Sequence, residues 1–322
     1  MIKKIYLLIL LCGITFAAEH TTEQPLKVLV VGLGDHMTGN LLQAINPQQF
    51  KVVYGSRRTT DELEKQKEEL CLEHVSTDYK TILDNHQVDA VFVAGPQSLH
   101  EQVVEECINR GVPVFVEKPL SMELATSKRL MELAEKKKSI VSVGYNMMYL
   151  DGFMTKEVGN SRVIANCSVG EPLSKGDSFE KVVKEGIYFA SVHPLSTIYW
   201  LFGKTNDMNV IFYNEPEPNK FELQVELRYA SKSNPTIIFK NCEDGGFHFN
   251  ISRITKYDYM TINVKRDQDG KTIKQISYEK ELNAFYQAIK SDKPTRSDLK
   301  ANFEIHQMLD QIEKDVFVKL ET

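Results

Sequence analysis

The stretch "LKVLVVGLGDHMTGN", residues 26–40, runs a continuous apolar strand directly into a glycine-containing turn. A strand made almost entirely of Val and Leu is typical of a parallel sheet that is covered on both faces. Gly32 allows a tight turn off the strand, and Gly34 lets the backbone approach a phosphate held at the start of the next helix. The stretch therefore predicts a dinucleotide-binding loop after the first strand, with His36 beside the cofactor. Met37 stands where the usual fingerprint has its third glycine, and we expect it to border the same site.

The residues that follow repeat this strand pattern and alternate it with helical spacing. The apolar runs are "FKVVYG" (50–55), "VDAVFVAG" (88–95), "VPVFVEK" (112–118) and "SIVSVGY" (139–145). The helical segments are "LEKQKEELCLEH" (63–74), "SLHEQVVEECINRG" (98–111) and "MELATSKRLMELAEKK" (122–137). Regular alternation of strand and helix predicts a doubly wound parallel sheet, the Rossmann arrangement, over residues 25–148.

The pattern changes in residues 149–322, where the strand candidates are longer and more alternating. They are "MNVIFYNE" (208–215), "KFELQVELRYA" (220–230), "NPTIIFKN" (234–241), "FHFNISRIT" (247–255), "DYMTINVKR" (258–266) and "KTIKQISYE" (271–279). A helix over 189–203 precedes them, and helices over 279–291 and 299–314 close the chain. The sequence therefore predicts an α/β protein with a second, α+β domain that contains a large, mostly antiparallel sheet.

The composition describes a globular chain without an electrostatic case for nucleic acid. The chain has 322 residues, 42% hydrophobic and 26% charged, with a formal net charge of -5. No dense basic stripe with interleaved aromatic residues is present, so we expect no nucleic-acid partner. No pair of cysteines has the short spacing of a metal or redox motif, which favours buried free thiols and no metal site.

The N-terminus has the three-part layout of a secretory signal peptide. Two lysines precede an apolar run from Ile5 to Phe16, and small residues follow at Ala17 and Ala18. The run is too short for a permanent membrane span. We expect residues 1–18 to be removed and the protein to be exported, whether secreted, periplasmic or lumenal. A leader that does not function would leave it in the cytoplasm.

The end of the second strand bears on the choice of cofactor. Sites that prefer NAD place an acidic residue there to accept hydrogen bonds from the ribose hydroxyls. This chain has "YGSRRTT" instead, in which Ser56, Arg57 and Arg58 offer donors and no carboxylate. Such donors suit a 2′-phosphate, so the sequence favours NADP over NAD. The alternative is an exposed turn that is basic without a ligand, above all at Arg58.

Residues 78–137, from "DYKTILDNHQVDAVFVAGPQSLH" through "GVPVFVEKPLSMELATSKRLMELAEKK", closely resemble the core of the Gfo/Idh/MocA oxidoreductases. "VGYNMMY" (143–149), "HPLSTIYWLFG" (193–203) and residues 281–313 look like later landmarks of that family. The resemblance implies a Rossmann domain followed by an α/β domain whose open sheet serves in oligomer contacts. It also implies an active site between the two, where a hydride passes between NAD or NADP and a small sugar-like or related carbonyl substrate.

The same resemblance implies roles for individual residues. Lys118 matches the family's active-site lysine, and Glu117 and Pro119 match the residues that position it. A lysine ammonium can polarise a carbonyl or stabilise an alkoxide during hydride transfer. The loop "AGPQSLH" matches the segment beneath the nicotinamide ribose. The residues carried over as cofactor neighbours are Ala94, Gly95, Pro96, His100 and Asn146, although His100 alone would be a routine histidine at a helix start.

The chain departs from the family pattern before the helix "HPLSTIYWLFG". Typical members carry Asp-x-Gly-x-His there, whereas this chain has Phe189 and Ser191 before His193. Two interpretations stay open. The enzyme acts on a substrate that needs no alcohol deprotonation, such as an imine or a conjugated double bond, with Lys118, His193 or Tyr188 giving the proton. Alternatively, the protein is an inactive secreted binder of a dinucleotide or another ligand.

Overall fold

The computed structural model describes residues 24–150, 162–169, 178–214, 221–230, 234–241, 247–254, 259–263 and 273–320. The signal-peptide segment and Cys242 lie outside these residues. Among the described cysteines, Cys107 and Cys167 are buried free thiols, as expected, whereas Cys71 is exposed. No helix in the described ranges is long and apolar enough to cross a membrane.

A six-stranded parallel sheet forms the first half of the molecule. Its strands are β1 (Leu26–Val31), β2 (Phe50–Ser56), β3 (His74–Ser76), β4 (Ala90–Val93), β5 (Val114–Val116) and β6 (Val141–Val143). The strand order β3-β2-β1-β4-β5-β6 reverses direction between β1 and β4. A ligand crevice opens at such a reversal, beyond the carboxyl ends of the strands. The predicted doubly wound sheet is therefore confirmed.

Helices connect these strands as the apolar spacing indicates. They are α1 (Thr60–Glu69), α2 (Tyr79–Asn85), α3 (Gln97–Arg110) and α4 (Leu124–Lys137). After the glycine turn the chain forms short π-helical and 3-10 segments over Met37–Leu41 and Leu42–Ala44. The sequence pattern did not single out β3, because its residues HVS lack the apolar run that marks the other strands, or α2, because 7 residues are too few to show a clear helical period.

A second six-stranded sheet has the order β12-β11-β7-β10-β9-β8. Its strands are β7 (Arg162–Val169), β8 (Met208–Asn214), β9 (Phe221–Leu227), β10 (Thr236–Asn241), β11 (Phe247–Ile254) and β12 (Tyr259–Asn263). Among the strands that the structure describes in this sheet, β10 and β7 alone pair in parallel, so the prediction of a mostly antiparallel sheet is confirmed. Along β9 buried and half-buried residues alternate, which means that one face of the sheet packs on a helical layer.

That helical layer is continuous from Phe179 to Phe202. It comprises α5 (Phe179–Glu185), a π-helical stretch over Gly186–Ser191, and α6 (Val192–Phe202). Gly186 lets the layer lie close to the sheet, since a Cβ there would stand 2.8 Å from the Phe221 ring and 3.0 Å from the Phe239 ring. The close packing fixes the height of residues 189–193 above the sheet, and so their position at the crevice.

The prediction of a strand over residues 271–279 is wrong. Ile273–Ser291 forms helix α7, and Leu299–Leu320 forms α8. The buried residues of α7 are Ser277, Tyr278, Glu281, Leu282, Phe285 and Ala288, a helical spacing that begins inside the supposed strand. Phe285 lies 5.9 to 6.1 Å, ring to ring, from Phe50, Phe92 and Phe115. A helix from the C-terminal part of the chain thus covers one face of the first sheet.

Candidate functional site

The glycine turn after β1 is shaped by contacts that only glycine permits. Gly32 has φ +86, and a Cβ on it would lie 1.7 Å from the backbone oxygen of Ala94. Its amide donates to the Ser56 carbonyl at 2.9 Å, which ties the turn to the end of β2. A Cβ on Gly34 would have no heavy atom within 4 Å, so that position opens into free space. Met37 is fully buried in the core beneath the turn, and it also lines the cavity that contains Glu117 and Lys118.

A cleft of about 540 Å³ extends from this turn across the end of β2. Its lining includes Ser56, Arg57, Arg58, Ala94, Gly95 and Pro96. Arg57 donates to the Leu33 carbonyl at 3.0 Å and pairs with Glu62 of α1. Arg58 is exposed. The structure therefore brings the predicted basic residues to the cleft, whose lining also includes Asp78, and it pairs Arg57 with the Glu62 carboxylate.

A second cavity of about 290 Å³ continues the cleft on the other side of the glycine turn. It shares Gly32, Gly34, Ala94 and Gly95 with the first, so the two form one groove across the turn. His36, His100, Glu117 and Lys118 line it. This is the half of the groove in which the sequence placed the nicotinamide.

His100 braces the loops that border this cavity. The Gly95 amide donates to its Nε2 at 2.9 Å, and its Nδ1 lies 3.0 Å from the Pro119 carbonyl. Because Nε2 accepts, we assign the proton to Nδ1, which then donates to Pro119. Burial lowers the pKa of His100, and the hydrogen bond to Pro119 opposes that effect. The imidazole thus holds the ends of β4 and β5 together as a neutral group.

Glu117 is a buried carboxylate that organises the cavity wall. Its Oε1 lies 3.1 Å from Nε2 of His36, and its Oε2 accepts from the Lys118 amide at 3.2 Å. Burial alone would raise the pKa of Glu117, but His36, Lys118 and His100 outweigh it and hold the pKa below its ordinary value. Gly144 makes room for the carboxylate, since a Cβ there would lie 3.1 Å from it.

The Lys118 side chain reaches from the strand end to the helical layer on the second sheet. Its Nζ donates to the Phe189 carbonyl at 2.9 Å. Burial lowers the pKa of Lys118, and the Glu117 carboxylate opposes that shift. The peptide bond between Lys118 and Pro119 is cis. The Lys118 ammonium is therefore bound by the backbone carbonyl of Phe189, because the side chain at this position carries no carboxylate.

His193 lies close enough to Lys118 for the two to interact electrostatically. It sits in the first turn of α6 and is 7% exposed. Burial, followed by the positive charges of Lys118, Lys274 and His36, lowers the pKa of His193 well below its ordinary value. The imidazole is consequently neutral near pH 7, which suits a hydrogen-bonding role better than a permanent cation.

Tyr188 is not brought to Lys118 and His193. Its hydroxyl donates to Glu313 of α8 at 2.9 Å, and its ring packs edge-on against His306. Tyr188 lies within the π-helical stretch and His193 in the first turn of α6, and residues five apart do not share a face of a regular helix, where neighbours are three or four apart. The geometry assigns the Tyr188 hydroxyl to α8, away from the crevice.

Asn146 is buried beneath the crevice, outside the lining of both cavities, next to residues that sequence reasoning missed. It is 1% exposed, and its Nδ2 donates to Ser277 Oγ of α7 at 3.0 Å. Lys274 and Tyr278 stand on the same part of α7, with the Tyr278 hydroxyl 3.5 Å from His36. The four-residue spacing of Ser277, Glu281 and Phe285 is the signal for this helix, but only its later part was predicted as helix, over residues 279–291, whereas Ser277 was assigned to the strand over 271–279.

The groove fits a dinucleotide. Gly32 keeps the turn free of a Cβ that would strike Ala94, and Gly34 leaves open space above it. Ser56 and Arg57 would meet the adenosine half, whereas Ala94, Gly95 and Lys118 would meet the nicotinamide half. Within the described ranges no cluster of three or more His, Cys, Asp or Glu residues could hold a metal ion.

Known proteins resemble this chain in both sequence and fold. Residues 26–145 match the family model "Oxidoreductase family, NAD-binding Rossmann fold", designated GFO_IDH_MocA. Myo-inositol 2-dehydrogenase of Thermotoga maritima is 30% identical over 112 residues, which are 35% of this chain and 32% of that protein. The match thus spans about a third of that relative. Human biliverdin reductase A is 24% identical over 224 residues, covering 66% of this chain and 70% of that protein.

Solved structures share the whole architecture. A dehydrogenase from Chromobacterium violaceum superposes with a TM-score of 0.77 at 17% identity, over 92% of this chain and 97% of that one. Such low identity shows the fold alone. The glycine groove and the lysine-bearing strand end lie in the region that the family model matches. Over residues 26–145, this chain is thus similar to the Gfo/Idh/MocA family of NAD-binding Rossmann-fold oxidoreductases.

Proposed function

We propose that this protein is an NADP-dependent oxidoreductase that transfers a hydride between the nicotinamide and a small polar substrate with a carbonyl, imine or conjugated double bond. The observation that carries the proposal is the Lys118 ammonium, which lies at the wall of the nicotinamide half of the groove and donates a hydrogen bond to the Phe189 carbonyl. A positioned cation next to the reacting carbon stabilises negative charge that develops during hydride transfer. When bound, the nicotinamide supplies or accepts the hydride.

The side chains of the crevice support reduction rather than alcohol oxidation. Oxidation of an alcohol needs a base, and the Asp of the typical pattern is replaced by Phe189. Reduction of a double bond needs a proton donor instead. Lys118, which donates to the Phe189 carbonyl, holds a proton at the crevice wall. Neutral His193 can orient a polar substrate atom. The long match to human biliverdin reductase A supports a conjugated double bond as the group reduced.

The preference for NADP over NAD rests on the end of β2. Ser56 and Arg57 offer donors there, and the 2′-phosphate would replace Glu62 as the partner of Arg57. Arg57→Met should weaken NADP binding about 10- to 100-fold and leave NAD binding within about twofold, because only the phosphate needs the guanidinium. Fluorescence titration of each cofactor measures both constants. Equal losses for the two cofactors would contradict the assignment.

The catalytic proposal is tested by turnover of Lys118→Met with a panel of carbonyl, imine and conjugated substrates that includes biliverdin. We expect kcat to fall about 10²- to 10³-fold with NADP affinity unchanged, because the ammonium acts on the reacting atoms rather than on the cofactor phosphates. Lys136→Met, an exposed change on α4, serves as the matched control. If Lys118→Met turned over substrate as fast as the native protein, the proposed role of the Lys118 ammonium in hydride transfer would be contradicted. Tight NADP binding without turnover of any substrate would favour an inactive dinucleotide-binding protein.

Export and self-association complete the proposal. The layout of residues 1–18 supports removal of a signal peptide, and N-terminal sequencing of the mature protein tests it.

The half-buried residues on the outer face of β9 support a homo-oligomer through the second sheet. Analytical sedimentation of the purified protein measures its oligomeric state directly.

A further inference from the structure

One face of α7 looks into the crevice. Lys274 and Tyr278 stand at positions i and i+4, which lie above one another on a helix. The contacts of Tyr278 show that this face points to the crevice. Its hydroxyl lies 3.5 Å from His36 Nε2, which in turn lies 3.1 Å from Glu117 Oε1. The Lys274 side chain therefore emerges one turn before Tyr278, on the side of the glycine loop and the end of β5.

The first turn of α7 is held against the crevice floor by two hydrogen bonds. Asn146 Nδ2 donates to Ser277 Oγ at 3.0 Å, and Ser277 Oγ donates to the Lys274 carbonyl at 2.6 Å. Asn146 Oδ1 is buried without a hydrogen-bond partner among the described residues. The backbone of residue 274 is thus fixed beside a buried acceptor that a ligand could satisfy.

Lys274 brings a positive charge that this part of the protein does not neutralise by direct contact. Its side chain is partly buried, and its ammonium has no hydrogen bond or ion pair within the described ranges. Burial lowers the pKa of Lys274, and the Glu117 carboxylate opposes that shift. Glu117 is already engaged by His36 and by the Lys118 amide. The crevice therefore carries the ammonium groups of Lys118 and Lys274, the engaged carboxylate of Glu117, and the exposed carboxylate of Asp35 at the glycine turn.

We propose that Lys274 binds an anionic oxygen group of the substrate, a carboxylate or a phosphate, and so directs the reacting carbon toward Lys118. This inference rests on the proposed function and adds the charge class of the substrate. A neutral polyol would leave a partly buried ammonium uncompensated, whereas an oxyanion would neutralise it through a charge-assisted hydrogen bond. Lys118 then remains available for the reacting atom, because the two ammonium groups have separate partners.

The first test measures binding and needs no turnover. Sodium malonate, its neutral analogue malonamide and sodium phosphate are titrated into the protein at constant ionic strength, with and without NADP. Malonate or phosphate should bind the native protein, and Lys274→Met should weaken that binding about tenfold or more. Lys274→Arg should retain it within about threefold. Lys293→Met, an exposed change just beyond α7, is the matched control. The anion that binds more tightly shows whether the anionic group of the substrate is a carboxylate or a phosphate.

Two outcomes of that titration would overturn the inference. One is equal anion binding by the native protein and Lys274→Met, or no preference for the anions over malonamide. The other is a tenfold loss of NADP affinity in Lys274→Met, which would show that the cofactor's own phosphates occupy the position. Neither outcome depends on whether the protein turns over a substrate.

The second test uses a substrate pair that differs only in charge. Biliverdin carries two carboxylates, and its dimethyl ester carries none. If the protein reduces them with NADPH, Lys274→Met should raise KM for the acid about tenfold and change KM for the ester less than twofold, with kcat kept within about threefold. Equal effects on acid and ester would overturn the role of Lys274. Reduction of neither compound would count against biliverdin as the substrate. The malonate and phosphate titration would still decide whether Lys274 binds an anion.

Discussion

At the scale of single residues, the site depends on where the chain tolerates no side chain and where it buries a charge. Gly32 needs a positive φ and an absent Cβ at once. Glu117 stays ionised inside the protein because His36, Lys118 and His100 surround it. These constraints are local, and each acts within a few ångströms of the groove.

The two glycines of the turn should respond differently to the same substitution. Gly32→Ala should cost more than about 4 kcal/mol of unfolding free energy, because its Cβ would collide with Ala94 and its φ would be strained. Gly34→Ala should change stability by about 0.5 kcal/mol or less and lower NADP affinity, because its Cβ projects into the cofactor's space. Denaturant unfolding and cofactor titration of both variants check this. A stable Gly32→Ala protein would contradict the geometry.

At the scale of elements, α7 contributes to both the fold and the site. Its Phe285 completes the aromatic cluster on the first sheet, whereas its Lys274 and Tyr278 face the crevice. Glu281 lies between these two roles. It is fully buried, and neither carboxyl oxygen has a well-formed hydrogen bond among the described residues. Burial raises the pKa of Glu281 well above its ordinary value, and the charge of Glu117 adds to the effect.

Glu281 should therefore make the protein less stable as pH rises. A carboxyl whose pKa is raised by folding binds more protons folded than unfolded, so its contribution is present below pH 4.5 and is lost above it. Glu281→Gln should gain stability over the native protein by up to about 1.4 kcal/mol per pH unit above that value. Urea unfolding at pH 5 and pH 8 measures the difference. A gain that does not grow with pH would mean that Glu281 is ionised in the fold.

At the scale of the whole molecule, a buried polar seam joins the two sheets. The Tyr145 hydroxyl donates to Asn302 Oδ1 at 2.7 Å, and Asn302 Nδ2 donates to Ser127 Oγ at 3.3 Å. Ser127 Oγ in turn lies 2.7 Å from His306 Nδ1. The seam runs from the end of β6 through α4 to α8, so the crevice and the second sheet are held in one arrangement.

The seam should weaken in acid through His306. Burial lowers the pKa of His306 from 6.5 to about 4, so the unfolded chain binds more protons between these values. Stability should fall by up to about 3 kcal/mol as pH drops from 6.5 to 4. His306→Asn should flatten this part of the pH profile, and His74→Asn, at an exposed site, should not. Identical slopes for the native protein and His306→Asn would contradict the assignment.

The sequence by itself determined the first sheet and the groove above it. Apolar runs of Val and Ile, a glycine turn and helical spacing are local signals, because a strand covered on both faces and a turn with positive φ each restrict the residues that form them. Gly32, Gly34, Ser56, Arg57 and Lys118 therefore line one groove, whereas Asn146 is buried against Ser277 outside that lining.

Only the tertiary structure decided what closes the other side of the crevice. The strand expected over residues 271–279 became α7, because its buried face is selected by packing against Asn146 and the first sheet. Tyr188 turned toward α8, where its hydroxyl donates to Glu313, a residue 125 positions later in the chain. Lys274, about 156 positions after Lys118 in the chain, reached the same crevice through that packing. Contacts between such distant residues leave no period in the sequence, since they arise when whole elements pack together.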